Sequence, residues 1–153
     1  MQRMSRRAVL AAMLATGLLS ATAFAQPPST GLGQAWPNAP DVSVNPNYHA
    51  YVFVLAGVQY IQINDANGNV LGSVGAAGGQ FIVLPIGHSQ LVTTPQQAAT
   101  TSAKPAAAPT QVYNDGTTTI SATPMSDGTT QLQATPALSA DDCDVVTCST
   151  HGS

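Results

Sequence analysis

Apolar residues fall into blocks along this chain rather than being spread evenly. Ala8 to Leu19 form one apolar run, broken only by Thr16 and Gly17. A second dense block spans Tyr48 to Gly87. Beyond it, single apolar residues stand among Thr, Gln, Ala and Pro.

The second block predicts strands. Tyr48 to Leu55 is rich in aromatic and β-branched residues, and Ala56-Gly57 interrupts it. In Val58 to Ile63 the alternation is partial, with Ile61 and Ile63 on one face and Gln62 on the other. Asn64 to Asn69 is a turn cluster in which Asn67-Gly68 supplies the positive φ angles of a tight hairpin. Val70 to Val74 and Gln80 to Leu84 are two further strands, separated by the glycine-rich Gly75 to Gly79, the last one stopping at Pro85. The expected fold is mostly β, a small antiparallel meander of about four strands over residues 48–86.

Such a sheet is too small to be stable alone. Its first and last strands are apolar on both faces, and no lysine blunts its edges. The sheet therefore needs completion by later strands of this chain, a second copy, or a partner. Tyr51, Tyr60 and Gln62, with Tyr48 and Gln59, are the expected contact residues.

The flanks divide by composition. Residues 26–47 form a Pro-rich irregular leader, whose only tryptophan, Trp36, is expected to plug the core. Residues 88–112 read as a low-complexity linker. Over 113–136 a twelve-residue unit occurs twice, Asp115-Gly116-Thr117-Thr118 through Pro124 and Asp127-Gly128-Thr129-Thr130 through Pro136. Each copy predicts a turn, a Thr-rich strand and a Pro stop, with Ile120 and Ala122, then Leu132 and Ala134, on one face. Two copies are too few for a free-standing solenoid. Either they dock on the open edge of the meander or they stay disordered. Residues 137–153 form an acidic, Cys-containing tail.

The N-terminus changes where the protein is expected to work. Arg3, Arg6 and Arg7 precede the first apolar run, and Ala23-Phe24-Ala25 follows it. A basic end, a short apolar core and a small-x-small site define a secretory signal over residues 1–25. Ser5-Arg6-Arg7-Ala8-Val9-Leu10 resembles the twin-arginine export motif, with Ala11 where that motif often has Lys. The resemblance implies passage across the membrane in the folded state. The expected location is periplasmic or secreted. No later apolar stretch is long enough to keep the cleaved chain in a membrane.

Cleavage also changes the charge. Lys104 becomes the only strongly basic residue, against seven aspartates and no glutamate, a formal charge of −6 with histidine neutral. Nucleic acid and anionic lipid are bound through Lys and Arg, so both partner classes are excluded. A homo-oligomer or an envelope protein partner is left.

Candidate chemistry is sparse. In an oxidising compartment Cys143 and Cys148 predict a disulfide. The alternative is a metal set of Cys143, Cys148 and His151, although structural zinc sites use tighter paired spacings. Asp65, Asn67 and Asn69 resemble the start of a calcium loop but lack its closing Glu, which favours a plain hairpin turn. His49 or His88 with Asp65 could serve a small hydrolase, but no nucleophile-elbow pattern accompanies them. Gly75 to Gly79 lacks the Lys-Ser/Thr of a phosphate loop. No cofactor is expected. The sequence thus points to an exported, non-enzymatic protein that binds or self-associates through its sheet, with metal binding and hydrolysis as alternatives.

Overall fold

The computed structural model describes residues 27–137. Residues 1–25, expected as an export signal, and Cys143, Cys148 and His151, expected as a disulfide or a metal set, lie outside them. Tyr48–Leu55 (β1), Val58–Asp65 (β2), Val70–Ala77 (β3) and Gln80–Gly87 (β4) pair antiparallel in chain order. Ala56 and Gly57 join β1 to β2 with φ of 50° and 81°, and Gly78 and Gly79 join β3 to β4 with 56° and 78°. These paired positive angles match the twist of the strands they connect. The expected mostly-β meander is therefore present.

One boundary differs. β4 does not stop at Pro85 but runs on to Gly87. The register of β3 against β4 shifts between Gly72 and Val74, so Pro85 falls in an irregular stretch of an edge strand. A missing N–H is tolerated there.

The repeat supplies two strands, Thr118–Pro124 (β7) and Thr130–Pro136 (β8), paired antiparallel in full register. The same turn precedes each. Asp115 Oδ1 accepts the Thr117 hydroxyl and the N–H groups of Thr117 and Thr118. Asp127 Oδ1 accepts the N–H and hydroxyl of Thr129. Gly116 and Gly128 take φ of 85° and 83° within these turns.

These strands do not extend the edge of the meander, as one expectation had it. They form a second sheet in the order β5-β8-β7-β6 with Val92–Thr93 (β5) and Thr110–Asn114 (β6). Ile61, Ile63 and Val74 share one apolar core with Ile120, Leu132 and Ala134, and the gap they line is too small for water. Gly72 allows this approach, because a Cβ there would lie 2.6 Å from Val92 Cγ2. Face cover was the stronger requirement, since burying Ile and Val stabilises by about 1.5–3 kcal/mol per side chain.

The stretch 88–112, expected as a linker, is partly structural. A 3-10 turn at Ser89–Leu91 leads into β5, and Leu91, Val92 and Val112 are buried. The leader also packs. Val42 N–H donates to Ala50 O and Val44 N–H to Val112 O, which fastens the β1 edge to the β6 edge. Among the described residues no helix is long and apolar enough to cross a membrane.

A polar clasp joins the sheets at the opposite end of β1. The Gln59 amide donates to Tyr113 Oη at 2.9 Å and to Asp115 Oδ2 at 3.1 Å, and the Tyr113 hydroxyl donates to that same carboxylate oxygen. Burial acts to raise the Asp115 pKa, but hydrogen bonds from Thr118, Thr117 and Gln59 outweigh it and hold the carboxyl well below 3.8. Burial first, then the Asp115 carboxylate, push the Tyr113 phenol above 10.0.

A depressed carboxyl contributes stability that is present above its unfolded value and lost as pH falls toward its folded one. A raised phenol contributes stability that is present below its unfolded value and lost as pH rises past it. Thermal melts are therefore expected to fall below pH 3.8 and again above pH 10.0. Asp115→Asn should flatten the acid limb far more than Asp127→Asn, whose carboxyl is fully exposed. Equal acid limbs for the two variants would contradict the clasp.

Candidate interaction surface

Sheet edges are where a β protein meets other chains, because each exposes unpaired N–H and C=O groups. Most edges here are closed from within. The Gln96 side chain accepts the Phe81 N–H on β4, and Pro85 interrupts the rest of that strand. β5 is two residues long and runs into a tight turn between Thr94 and Gln97. On β6, Val112 O accepts both Val44 N–H and the Ser43 hydroxyl.

An edge left open is the C-terminal end of β1, at Val54. Its first half is covered, since Ala50 O accepts Val42 N–H and Ala50 N–H donates to Asp41 Oδ1. Antiparallel strands alternate the direction of their backbone groups, so Val52 and Val54 point the same way as Ala50, away from β2. The leader still runs beside Val52, because the antiparallel bridge between Asp41 and Tyr51 sets the Val52 N–H against Pro40 O, and beyond it no main chain pairs with Val54 among the described residues. The Val54 side chain is 66% exposed and Leu55 54%. Pro27, Pro28 and Pro40, which carry no N–H, flank Val52 and Val54 in a shallow groove.

Two of the three residues expected to meet a partner prove internal. Gln62 is 0% exposed, and its amide is consumed by the leader and a neighbour. Gly33 N–H donates to its Oε1, while its Nε2 donates to Gln34 O and Asn64 Oδ1. Tyr51 is buried and stacks on the His49 ring. Tyr60 is half-buried on the same face and touches the space above Gly75. The leader, not a second chain, occupies this part of the sheet.

Trp36 differs in the other direction. It does not plug the core but lies 59% exposed over Gly68, edge-on to His49 with ring centroids 5.2 Å apart.

The remaining candidates separate. His88 and Asp65 both line one cleft, but the Asp65 oxygens are taken by Asn67 N–H, Asn69 N–H and the Asn69 amide. His49 Nδ1 pairs with Asp41 Oδ2 at 2.7 Å instead. No hydroxyl bonds to either histidine among the described residues, so no relay to a nucleophile is assembled. The Asp65 to Asn69 segment is a hairpin turn. Among the described residues no three His, Cys or Asp side chains group to hold a metal ion.

Over the described residues, the fold and this edge define a mostly-β, two-sheet protein with one partly open strand edge. Comparison with protein-family models, curated proteins and solved structures finds no match.

Proposed function

We propose that this is an exported, non-enzymatic protein that self-associates by adding β1 of one copy to β1 of another, in the periplasm or outside the cell. The observation that carries the proposal is the outward N–H and C=O of Val54, beside an exposed Val54 side chain, in a sandwich whose other edges are partly blunted. The basic, apolar and small-x-small features of residues 1–25 support export.

The edge is self-complementary. An antiparallel pairing centred on Val54 sets Val54 opposite Val54 of the second copy and exchanges two main-chain hydrogen bonds. This is the isologous contact of a two-fold dimer. At about 0.5–1.5 kcal/mol net per bond, the ladder alone does not offset an association cost of about 4–15 kcal/mol. Burial of Val54 and Leu55 adds about 1.5–3 kcal/mol each. The dimer is therefore weak and concentration-dependent, and a partner strand with its own apolar side chains could compete for the groove.

Native mass spectrometry and hydrogen exchange on residues 26–153 test this. The expected result is a dimer that grows with concentration and slows exchange at Val54. Val54→Pro removes only an outward N–H, and Val54→Lys adds a charge. Each should leave the thermal melt near that of the parent and abolish the dimer. A monomer with a fast-exchanging Val54 amide at all concentrations would sink self-association.

A further inference from the structure

The loop 30–38 is held more firmly than a surface leader requires. Thr30 N–H donates to Asn38 O, and Gln34 N–H to Gly31 O. Beneath it, two fully buried amides reach up from β2, Gln62 to Gly33 and Gln34, and Asn64 to Ala35 O at 2.7 Å. Burying amides is unfavourable unless every group is paired, and here every buried polar side-chain atom has a partner. What this fastened loop carries outward is the Trp36 indole. An exposed tryptophan on a rigid mount loses little conformational entropy when a ligand covers it.

The mount extends to the neighbouring turn. A Cβ on Gly68 would lie 2.6–2.9 Å from three indole atoms, so only glycine lets the ring rest there. Ala35 and Gly68 also line a cleft of 630 Å³ between the β2–β3 turn, His88 and the β7–β8 turn. Its polar side chains are Asp65, Asn69, His88, Thr129 and Thr130. None is Lys or Arg, so a phosphorylated or carboxylated ligand has no counter-charge here.

The Asp65 carboxylate is engaged by Asn67 and Asn69, which leaves the uncharged donors and acceptors of Asn69, His88, Thr129 and Thr130 beside the indole face, a setting for a ligand with an apolar side, a hydroxylated rim and no charge. We propose that Trp36 and this adjoining cleft bind a neutral saccharide. One sugar ring lies with its C–H face on the indole, and the hydroxyls of the next reach His88, Asn69 and Thr129. The site is independent of the β1 edge. A proline-rich peptide would also stack on tryptophan, but grooves for such peptides are lined by several aromatic residues, whereas none lines this cleft.

The protein's single tryptophan reports directly on occupancy. Residues 26–153 are titrated with cellotetraose, chitotetraose, maltotetraose and xylotetraose, and separately with a decaproline peptide, by tryptophan emission and calorimetry. The expected result is saturable binding of at least one tetrasaccharide with a change in emission. By calorimetry, Trp36→Ala should weaken it by roughly tenfold or more, Trp36→Phe less, and His88→Ala measurably, a tenfold loss being 1.4 kcal/mol. Both side chains are exposed, and unchanged melting curves would show that the variants fold. No heat and no emission change with any of the four sugars at millimolar concentration overturns the proposal. So does sugar binding that survives Trp36→Ala, or binding of decaproline alone.

Discussion

Gly87→Ala is expected to lower stability by about 3 kcal/mol, a fall in Tm of about 10–20 °C. Gly87 sits at φ 66°, where a side chain strains the backbone. Its Cβ would also lie 2.5 Å from Val70 O and 2.9 Å from Leu71 C, both main chain and unable to swing aside. The Leu71 carbonyl is already fixed by the His88 N–H at 2.9 Å. Gly57 provides the control. Its φ is 81°, but nothing lies within 4 Å of its would-be Cβ, so Gly57→Ala bears the backbone strain alone. Thermal melts of both variants separate strain from collision. Equal losses at the two positions would show that the β3–β4 contact yields.

Gln62→Leu is expected to cost about 2–3 kcal/mol and to free the leader loop. It strands the Gly33 N–H, Gln34 O and Asn64 Oδ1. Gln62→Glu keeps an acceptor for Gly33 but turns two donated bonds into repulsions, and should cost at least as much. The loss is bounded because the loop can lift into water while both sheets stay paired. The anisotropy of Trp36 emission should therefore drop at temperatures where the circular dichroism of the sheets is unchanged. If anisotropy and sheet signal are lost together, the loop is part of the core rather than a cover on it.

The same residue shows how far the sequence could be read. Local pattern was enough for β1 to β4, because Tyr, Val, Phe and Ile cluster there and Gly pairs mark the turns. It was enough for β7 and β8, because a repeated Asp-Gly-Thr-Thr builds its own turn. It was not enough for β5 and β6. Val92 and Val112 are single apolar residues in polar surroundings, made into strands by partners distant in sequence. Gln62, in a half-alternating strand, was expected as a partner contact, but beside Asn64 its hydrogen-bond partners lie 28 and 29 residues away in the leader. Trp36 was misjudged for a related reason. An aromatic residue in a Pro-rich leader is a natural plug until Gly68 is seen to offer it a resting place outside. The open end of β1 depends on how far the leader runs alongside it, which no local pattern contains.

The strand order of the second sheet has a consequence for how the chain is made. β8 is the last strand among the described residues, yet it lies inside that sheet, between β5 and β7. Val92 of β5 waits for Leu132, forty residues later, to complete its pairing. A nascent chain that has emerged only to Pro124 already contains the whole first sheet, but its apolar face lacks Leu132 and Ala134. The first sheet can thus bury this face fully only after synthesis has passed Pro136, and until then part of its apolar surface stays exposed.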